Sequence, residues 1–252
     1  MRSDASPLLR VEHLSKAFDG LQALDDISFT VAAGEVVALI GPNGAGKTTC
    51  FNIVNGQLAS DDGSVWLGGE RIDRWPPQRI ARAGVGRTFQ TAATFASMTA
   101  RENVQLALLA VAGEAGSLMG RLAPARRSEA NALLTRVGAD SLAEQVCATL
   151  AYADLKRIEL AVALARSPRL LLMDEPTAGT APRERASVMA LVSDVVRDGN
   201  VATLFTEHDV DVVFRFAARV IVLDRGRIIA DGAPAAVRAD PCVRAVYLGT
   251  DA

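Results

Sequence analysis

The chain opens on short apolar runs rich in β-branched residues. "LLRVEHLSKAF" (8–18) and "LDDISFTVAAGEVVALIG" (24–41) read as strands, the second stretch turning at Gly34. "SVWLGGERI" (64–72) sets two short apolar arms around Gly68-Gly69, a tight-hairpin signal. Residues 1 to 75 are therefore strand-rich with one interruption, a helix expected to open at Gly46 and run through "KTTCFNIVNGQL" (47–58). From Thr99 to Arg166 the pattern turns helical and rich in Ala and Leu, in "NVQLALLAV", "RRSEANALLTRV" and "LKRIELAVALAR". "GEAGSLMGRLAPA" (113–125), with Met119, reads as a solvated link between those helices. Strands and helices then alternate through "RLLLMDE" (169–175), "PRERASVMALVSDVVRDG" (182–199) and "VATLFTE" (201–207). The middle segment places Val188, Leu191, Val192 and Val195 at i, i+3, i+4 and i+7, one apolar face of a helix. Such alternation predicts a parallel sheet covered by helices. "VIVLDRGRIIADG" (220–232) closes with a hairpin around Asp224-Arg225-Gly226, and there is no internal repeat.

Composition narrows the class without naming a function. With 252 residues, half of them hydrophobic, the chain can bury a sizeable core in one large domain, alone or with a subdomain. A net charge of −2 gives no global attraction to nucleic acid or to an anionic membrane. Cys50, Cys147 and Cys242 are scattered and lack CxxC spacing, which argues against a disulfide framework and a zinc site and fits a reducing cytosol. Cys50 is expected as a small buried residue on a helix. The N-terminal "MRSDASPLLRVEHL" has charge but no apolar core, so it is not read as a signal peptide. No apolar run approaches the ~18–20 residues of a membrane span. Service to a membrane would come from its cytoplasmic side, through a partner.

Chemistry enters with "GPNGAGKTT" (41–49), which fits GxxxxGK[ST] in full between the apolar run "EVVALI" and a helix. A phosphate chain needs backbone N–H groups aimed at it without intervening Cβ atoms, which Gly41, Gly44 and Gly46 allow. Lys47 supplies a point charge for β- and γ-phosphates, the Thr48 hydroxyl is placed for Mg²⁺, and Thr49 with the helix N-terminus completes the anion site. Pro42, Asn43 and Ala45 fill out the nucleotide-binding loop. "LLLMDE" (170–175) is an apolar strand ending in two carboxylates, and alternation along a strand would face Asp174 and Glu175 opposite ways. That leaves Asp174 to hold Mg²⁺ through water and Glu175 to orient or deprotonate the attacking water. His208 ends the next strand, where a γ-phosphate sensor would sit and a helix is expected to open, whereas His13 reads as a surface residue. Gln90, in "GRTFQ", ends a short strand that leads into the helical insertion. The outline is a nucleotide-binding α/β core with a helical insertion.

In this order and spacing, Gly41–Thr49, Gln90, "LAYAD" (150–154), "LLLMDEP" and "TEHD" resemble an ABC-transporter ATP-binding subunit over essentially the whole chain. The resemblance implies a P-loop NTPase core with an N-terminal antiparallel β-subdomain and an inserted α-helical subdomain. Its bounds would be about 1–95 and 167–252 for the core and about 96–166 for the helical part carrying the signature turn. It implies ATP and Mg²⁺ as ligands, Phe18 stacking on adenine, Gln90 in catalysis and on the metal, and "TAGTAP" (177–182) coupling two sites. It also implies a head-to-tail dimer in which each ATP lies between one subunit's P-loop and the other's signature turn. Here that turn is Leu150, Ala151, Tyr152, Ala153 and Asp154, acting in trans.

Within the family, "GVGRTFQ", the long link at 112–130, "TEHDVDVVF" and the ending "VYLGTDA" are similar to the larger ATPase of branched-chain amino acid uptake systems. Lipopolysaccharide-export ATPases share the "YLG" ending. The implied partners are membrane permease subunits, a second ATPase (a different chain, or another copy) and, indirectly, an external solute-binding protein. Nucleic acid is not among them, and the implied location is peripheral, on the cytoplasmic face of the membrane. Three other functions compete. A lipid exporter stays within the class. A non-transport ABC protein of DNA repair or translation usually carries two cassettes, a coiled-coil insertion or basic arms, whereas this sequence reads as one cassette with short connections and a slightly acidic charge. A pseudo-ATPase is opposed by Glu175 and His208.

Against the family's usual LSGGQ, "LAYAD" keeps only Leu150. Ala151 and Tyr152 are tolerated in the amino acid uptake group, and Asp154 is expected to N-cap "LKRIELAVALA". Ala153 departs from the family's glycine. Its Cβ would crowd the phosphate or, if the backbone needs positive φ, cost roughly 1–2 kcal/mol. Loss of a serine hydroxyl at 151 forgoes a charge-assisted bond of about 1.5–3 kcal/mol. The turn is weakened, not abolished, and in a head-to-tail dimer it would detune the partner's site.

Overall fold

The computed structural model describes residues 7–88, 93–113 and 126–248, with side chains as far as 246. Gln90, Met119, most of the 113–125 link and the last four residues therefore lie outside the described residues.

Two sheets form. β1 (Leu9–Phe18), β2 (Leu21–Val31), β4 (Asp62–Leu67) and β5 (Glu70–Arg71) make an antiparallel sheet in the order β2-β1-β4-β5. β3 (Val36–Ile40), β6 (Val85–Thr88), β7 (Leu170–Asp174), β8 (Ala202–Thr206), β9 (Arg219–Asp224) and β10 (Arg227–Gly232) make the larger one, in the order β10-β9-β3-β8-β7-β6. Every pairing in the larger sheet is parallel except the closing β9–β10 hairpin.

The unbroken apolar runs follow from burial on both faces. Val37, Leu39, Leu170, Leu172, Leu204, Ile221 and Leu223 point into a core shared with the antiparallel sheet and α1 (Lys47–Val54). Ala38, Ile40, Leu171, Met173, Phe205, Val220 and Val222 point the other way, into a core built mainly with five other helices. Those are α3 (Ala100–Ala112), α4 (Arg127–Arg136), α5 (Tyr152–Leu164), α6 (Pro182–Gly199) and α7 (Val210–Phe216). α2 (Pro77–Arg82) leads into β6, and α8 (Pro234–Ala239) and α9 (Pro241–Leu248) follow β10.

α6 spans the predicted segment and buries Val188, Val192 and Val195, with Leu191 half-buried. Three local expectations change. α1 stops at Val54, because Asn55 caps it and Gly56 and Gln57 bond back to Ile53 and Asn52 in place of another helical turn. α5 starts at Tyr152 with Ala151 as N-cap, so Asp154 lies in its first turn and is not the cap. His208 precedes α7 without opening it; Asp209 is the N-cap and accepts from the backbone N–H groups of Asp211 and Val212.

Candidate functional site

β3, β7 and β8 are adjacent and parallel, so the residues at their C-terminal ends converge on one edge of the sheet. A cavity there is lined by Ala23, the loop from Asn43 to Thr49, Asp174, Glu175 and His208. The chain leaves β3 through Gly41 and re-enters a helix at Lys47. Gly46, the N-cap, sits at φ 106°, and a Cβ there would lie 2.4 Å from the Ala23 carbonyl oxygen of β2, so only glycine fits. No side chain caps α1 and no acid occupies its first turn, which leaves N–H groups and the positive helix end facing the cavity.

Lys47 is buried and donates from Nζ to the carbonyl oxygens of Gly41 at 2.7 Å and Pro42 at 3.0 Å. Burial lowers its pKa, while Glu175 and Asp174 pull it back up. Among the described residues no carboxylate lies within 4.0 Å of it. A buried cation held only by carbonyls, beside uncapped N–H groups, fits a bound polyphosphate. Asp174 offers a carboxylate to the same space and Thr48 a hydroxyl, a hard oxygen pair suited to Mg²⁺ completed by phosphate and water. Among the described residues no cluster of three or more His, Cys, Asp or Glu could hold a metal without such help.

The two carboxylates are not arranged by strand alternation. β7 ends at Asp174, and Glu175 has φ 49°, a left-handed conformation that turns its side chain into the same cavity. The Thr206 hydroxyl sets both: it donates to Asp174 Oδ1 at 2.8 Å and accepts the Glu175 N–H at 3.1 Å. Arg87 Nη2 lies 3.4 Å from Asp174 Oδ2, while its Nη1 donates to the side-chain oxygens of Asn52 and Gln57. Glu175 Oε1 is 2.8 Å from His208 Nε2, so the two residues assigned to the attacking water and the γ-phosphate are in direct contact.

Sequence reasoning missed Thr206, Arg87 and Glu207. The only local sign of the first and last is that "TE" directly precedes His208. Phe18 is 44 % exposed at the end of β1 and does not line the cavity, although its partner strand β2 brings Ala23 to it. Leu150 to Asp154 lie elsewhere, at the start of α5, and none of them lines this cavity. Ala153 is helical and not among the positive-φ residues, which removes the strain alternative at that position. Cys50 is buried in α1 with its thiol pushed up to about 12, and His13 is exposed beside Asp26.

Comparisons with known proteins identify the family. The ABC transporter family model matches residues 24–178, more than half the chain, and the branched-chain amino acid ATP-binding cassette transporter model matches residues 227–252. The chain is 38% identical to the high-affinity branched-chain amino acid transport ATP-binding protein BraF of Pseudomonas aeruginosa, covering 96% of this chain and 98% of that one. It is 32% identical to the lipopolysaccharide export system ATP-binding protein LptB of Escherichia coli, over 96% and 98%. The solved ADP conformation of an ATP-binding cassette of an ABC transporter superposes with a TM-score of 0.85 at 30% identity, over 97% of this chain and 100% of that one. The chain belongs to the ATP-binding subunits of ABC transporters, and its activity is the binding and hydrolysis of ATP.

Proposed function

We propose that the chain is one ATPase subunit of an importer for branched-chain or related amino acids. The observation that carries the substrate class is the match of residues 227–252 to the branched-chain amino acid cassette model. The higher identity to BraF than to LptB favours uptake over lipid export. Among the described residues no helix is long and apolar enough to cross a membrane, so the reading needs separate permease subunits. The chain would then sit on the cytoplasmic face, bound to the permease, with a solute-binding protein acting from outside.

At each site Gly41 to Thr49 hold the phosphates, Lys47 neutralises them, and Phe18 stacks on the base. Thr48 and Asp174, with Gln90, hold Mg²⁺, which when bound offsets charge on the phosphate oxygens. Glu175 accepts a proton from the attacking water, and His208 keeps Glu175 oriented and senses the γ-phosphate. The second half of each site is the 150–154 turn of another subunit, so ATP closes a head-to-tail pair and hydrolysis reopens it. The helical subdomain, about 96–166, and the Gln90 segment pass that motion to the permease. Ala151 and Ala153 make the turn a weak γ-phosphate ligand. If the second ATPase is a different chain, two unequal sites result, the weaker on the partner's P-loop.

The test is to purify the chain with its membrane partners and measure ATPase stimulation by the solute-binding protein with leucine, isoleucine or valine. Stimulation by one of these supports the reading; stimulation by lipopolysaccharide alone makes it an exporter. Recovery with ribosomes or DNA would remove it from transport. Glu175→Gln should bind ATP, trap the closed dimer and abolish turnover; normal turnover would remove Glu175 from its role.

A further inference from the structure

Glu207 immediately precedes His208 and is buried, at 6 % exposure, with no cation within 4.0 Å among the described residues. A buried carboxylate without a cation must be satisfied by neutral donors or it is costly. Its donors all come from the two loops that carry the reaction. Oε1 accepts the Thr177 N–H at 2.8 Å and the Thr177 hydroxyl at 2.6 Å, and Oε2 accepts the His208 N–H at 3.2 Å. Thr177 is itself buried, at 2 % exposure.

Thr177 lies inside the turn that begins at Glu175. Upstream, the Glu175 N–H is held by Thr206; downstream, the Ala178 N–H donates to the Glu175 carbonyl at 3.0 Å. A left-handed glutamate persists only where its surroundings over-determine it. One carboxylate therefore ties the turn of Glu175 to the backbone of His208, the two residues whose side chains meet at 2.8 Å.

We propose that Glu207 is a positioning residue for ATP hydrolysis, fixing Glu175 and His208 relative to each other through the Thr177 turn. The proposal rests on the assignment of those two residues to the chemistry. Glu207 does not line the nucleotide cavity, so its effect should fall on turnover and spare nucleotide affinity.

The test uses the full chain with its co-purified partners, reading kcat and KM for ATP together with the affinity for a fluorescent ATP analogue. Glu207→Gln is isosteric, but its amide N–H₂ must face a donor, either Thr177 or the His208 N–H. We expect kcat to fall about tenfold with KM and analogue affinity within about twofold. Thr177→Val, which removes the hydroxyl, should fall about threefold, and Thr177→Ser should be close to wild type. Wild-type turnover in Glu207→Gln, a matching loss of affinity, or a Thr177→Ser as slow as the valine would overturn the proposal. Glu175→Gln and His208→Ala run beside them. If those two are inactive and Glu207→Gln is not, positioning alone fails. If either turns over normally, the site assignment fails and takes the proposal with it.

Discussion

The ring of Tyr152 occupies the space that a side chain at Gly179 would need. A Cβ at Gly179 would lie 2.7 Å from ring Cε1, and the Gly179 backbone is left-handed at φ 77°. The aromatic of the 150–154 turn thus rests on the 177–182 loop of the same chain. That gives the helical subdomain a direct contact with the loop that follows Glu175. Gly179→Ala should lower stability by about 1–2 kcal/mol from backbone strain, and by more where the ring stays in place. In a Tyr152→Ala background the steric share disappears. Urea denaturation of both single variants and the double should then show a coupling of at least about 0.5 kcal/mol. Strictly additive costs would mean that the ring moves aside freely.

Ala151 stands at the N-cap of α5 with extended backbone (φ −65°, ψ 152°) and no side chain to offer the first turn. Ala151→Ser should stabilise the chain by about 1 kcal/mol through capping. If, as proposed, this turn completes a partner's site, the substitution should also raise turnover there, because the same hydroxyl can meet a phosphate. A gain in melting temperature without a gain in ATPase would confine the residue to helix capping.

Ala153 is the second residue of the same helix, so the argument for glycine there is steric and not conformational. Ala153→Gly should cost roughly 0.5–1 kcal/mol of stability. If the methyl crowds the partner's phosphate, turnover at that site rises despite the loss. Unchanged turnover would show the alanine to be tolerated.

Much of this was legible from local signals. "EVVALI" and "LLLMDE" read as central strands because both their faces are buried, Val37 and Leu39 against one core and Ala38 and Ile40 against the other. "GPNGAGKTT" announced its own backbone, and the α6 stripe announced its length. What stayed hidden depends on contacts distant in sequence. Alternation misassigned Glu175, because the parallel register that pairs Asp174 with Thr206 is not written in either strand alone. The start of α5 was misread for a related reason. Asp154 is a good capping residue, but the chain enters the helix three residues earlier, after the extended Leu150.

The Thr206 hydroxyl serves the Asp174 carboxylate and the Glu175 backbone N–H, and Thr206 is buried at 1 % exposure. Thr206→Val keeps the shape, and the Glu175 N–H retains the Thr206 carbonyl at 3.2 Å, so the main loss is the donor to Asp174. The Mg²⁺ concentration for half-maximal turnover should rise by about three- to tenfold, and Thr206→Ser should restore it. An unchanged Mg²⁺ dependence would separate this hydroxyl from the metal-holding role given to Asp174.

On the far side of His208, Asp209 caps α7 and accepts from Arg185 Nη1 of α6 at 2.8 Å. The Arg185 hydrogen bond, helped by the Val212 and Asp211 N–H groups and opposed by burial, holds the Asp209 carboxyl below its ordinary value of 3.8. A carboxyl depressed in the folded state adds stability that is fully present above its unfolded value and is lost as pH falls through the folded one. Asparagine caps about as well as aspartate, so Asp209→Asn removes only the charge, at a cost of up to about 1 kcal/mol for a partly exposed pair. Asp209→Ala loses the cap as well, about 0.5–2 kcal/mol in total. Denaturation midpoints should show the Asn deficit steady between about pH 7 and pH 5 and shrinking near about pH 3.5. A deficit independent of pH over that range would mean that Asp209 acts through shape and capping alone, with no contribution from its ion pair to α6.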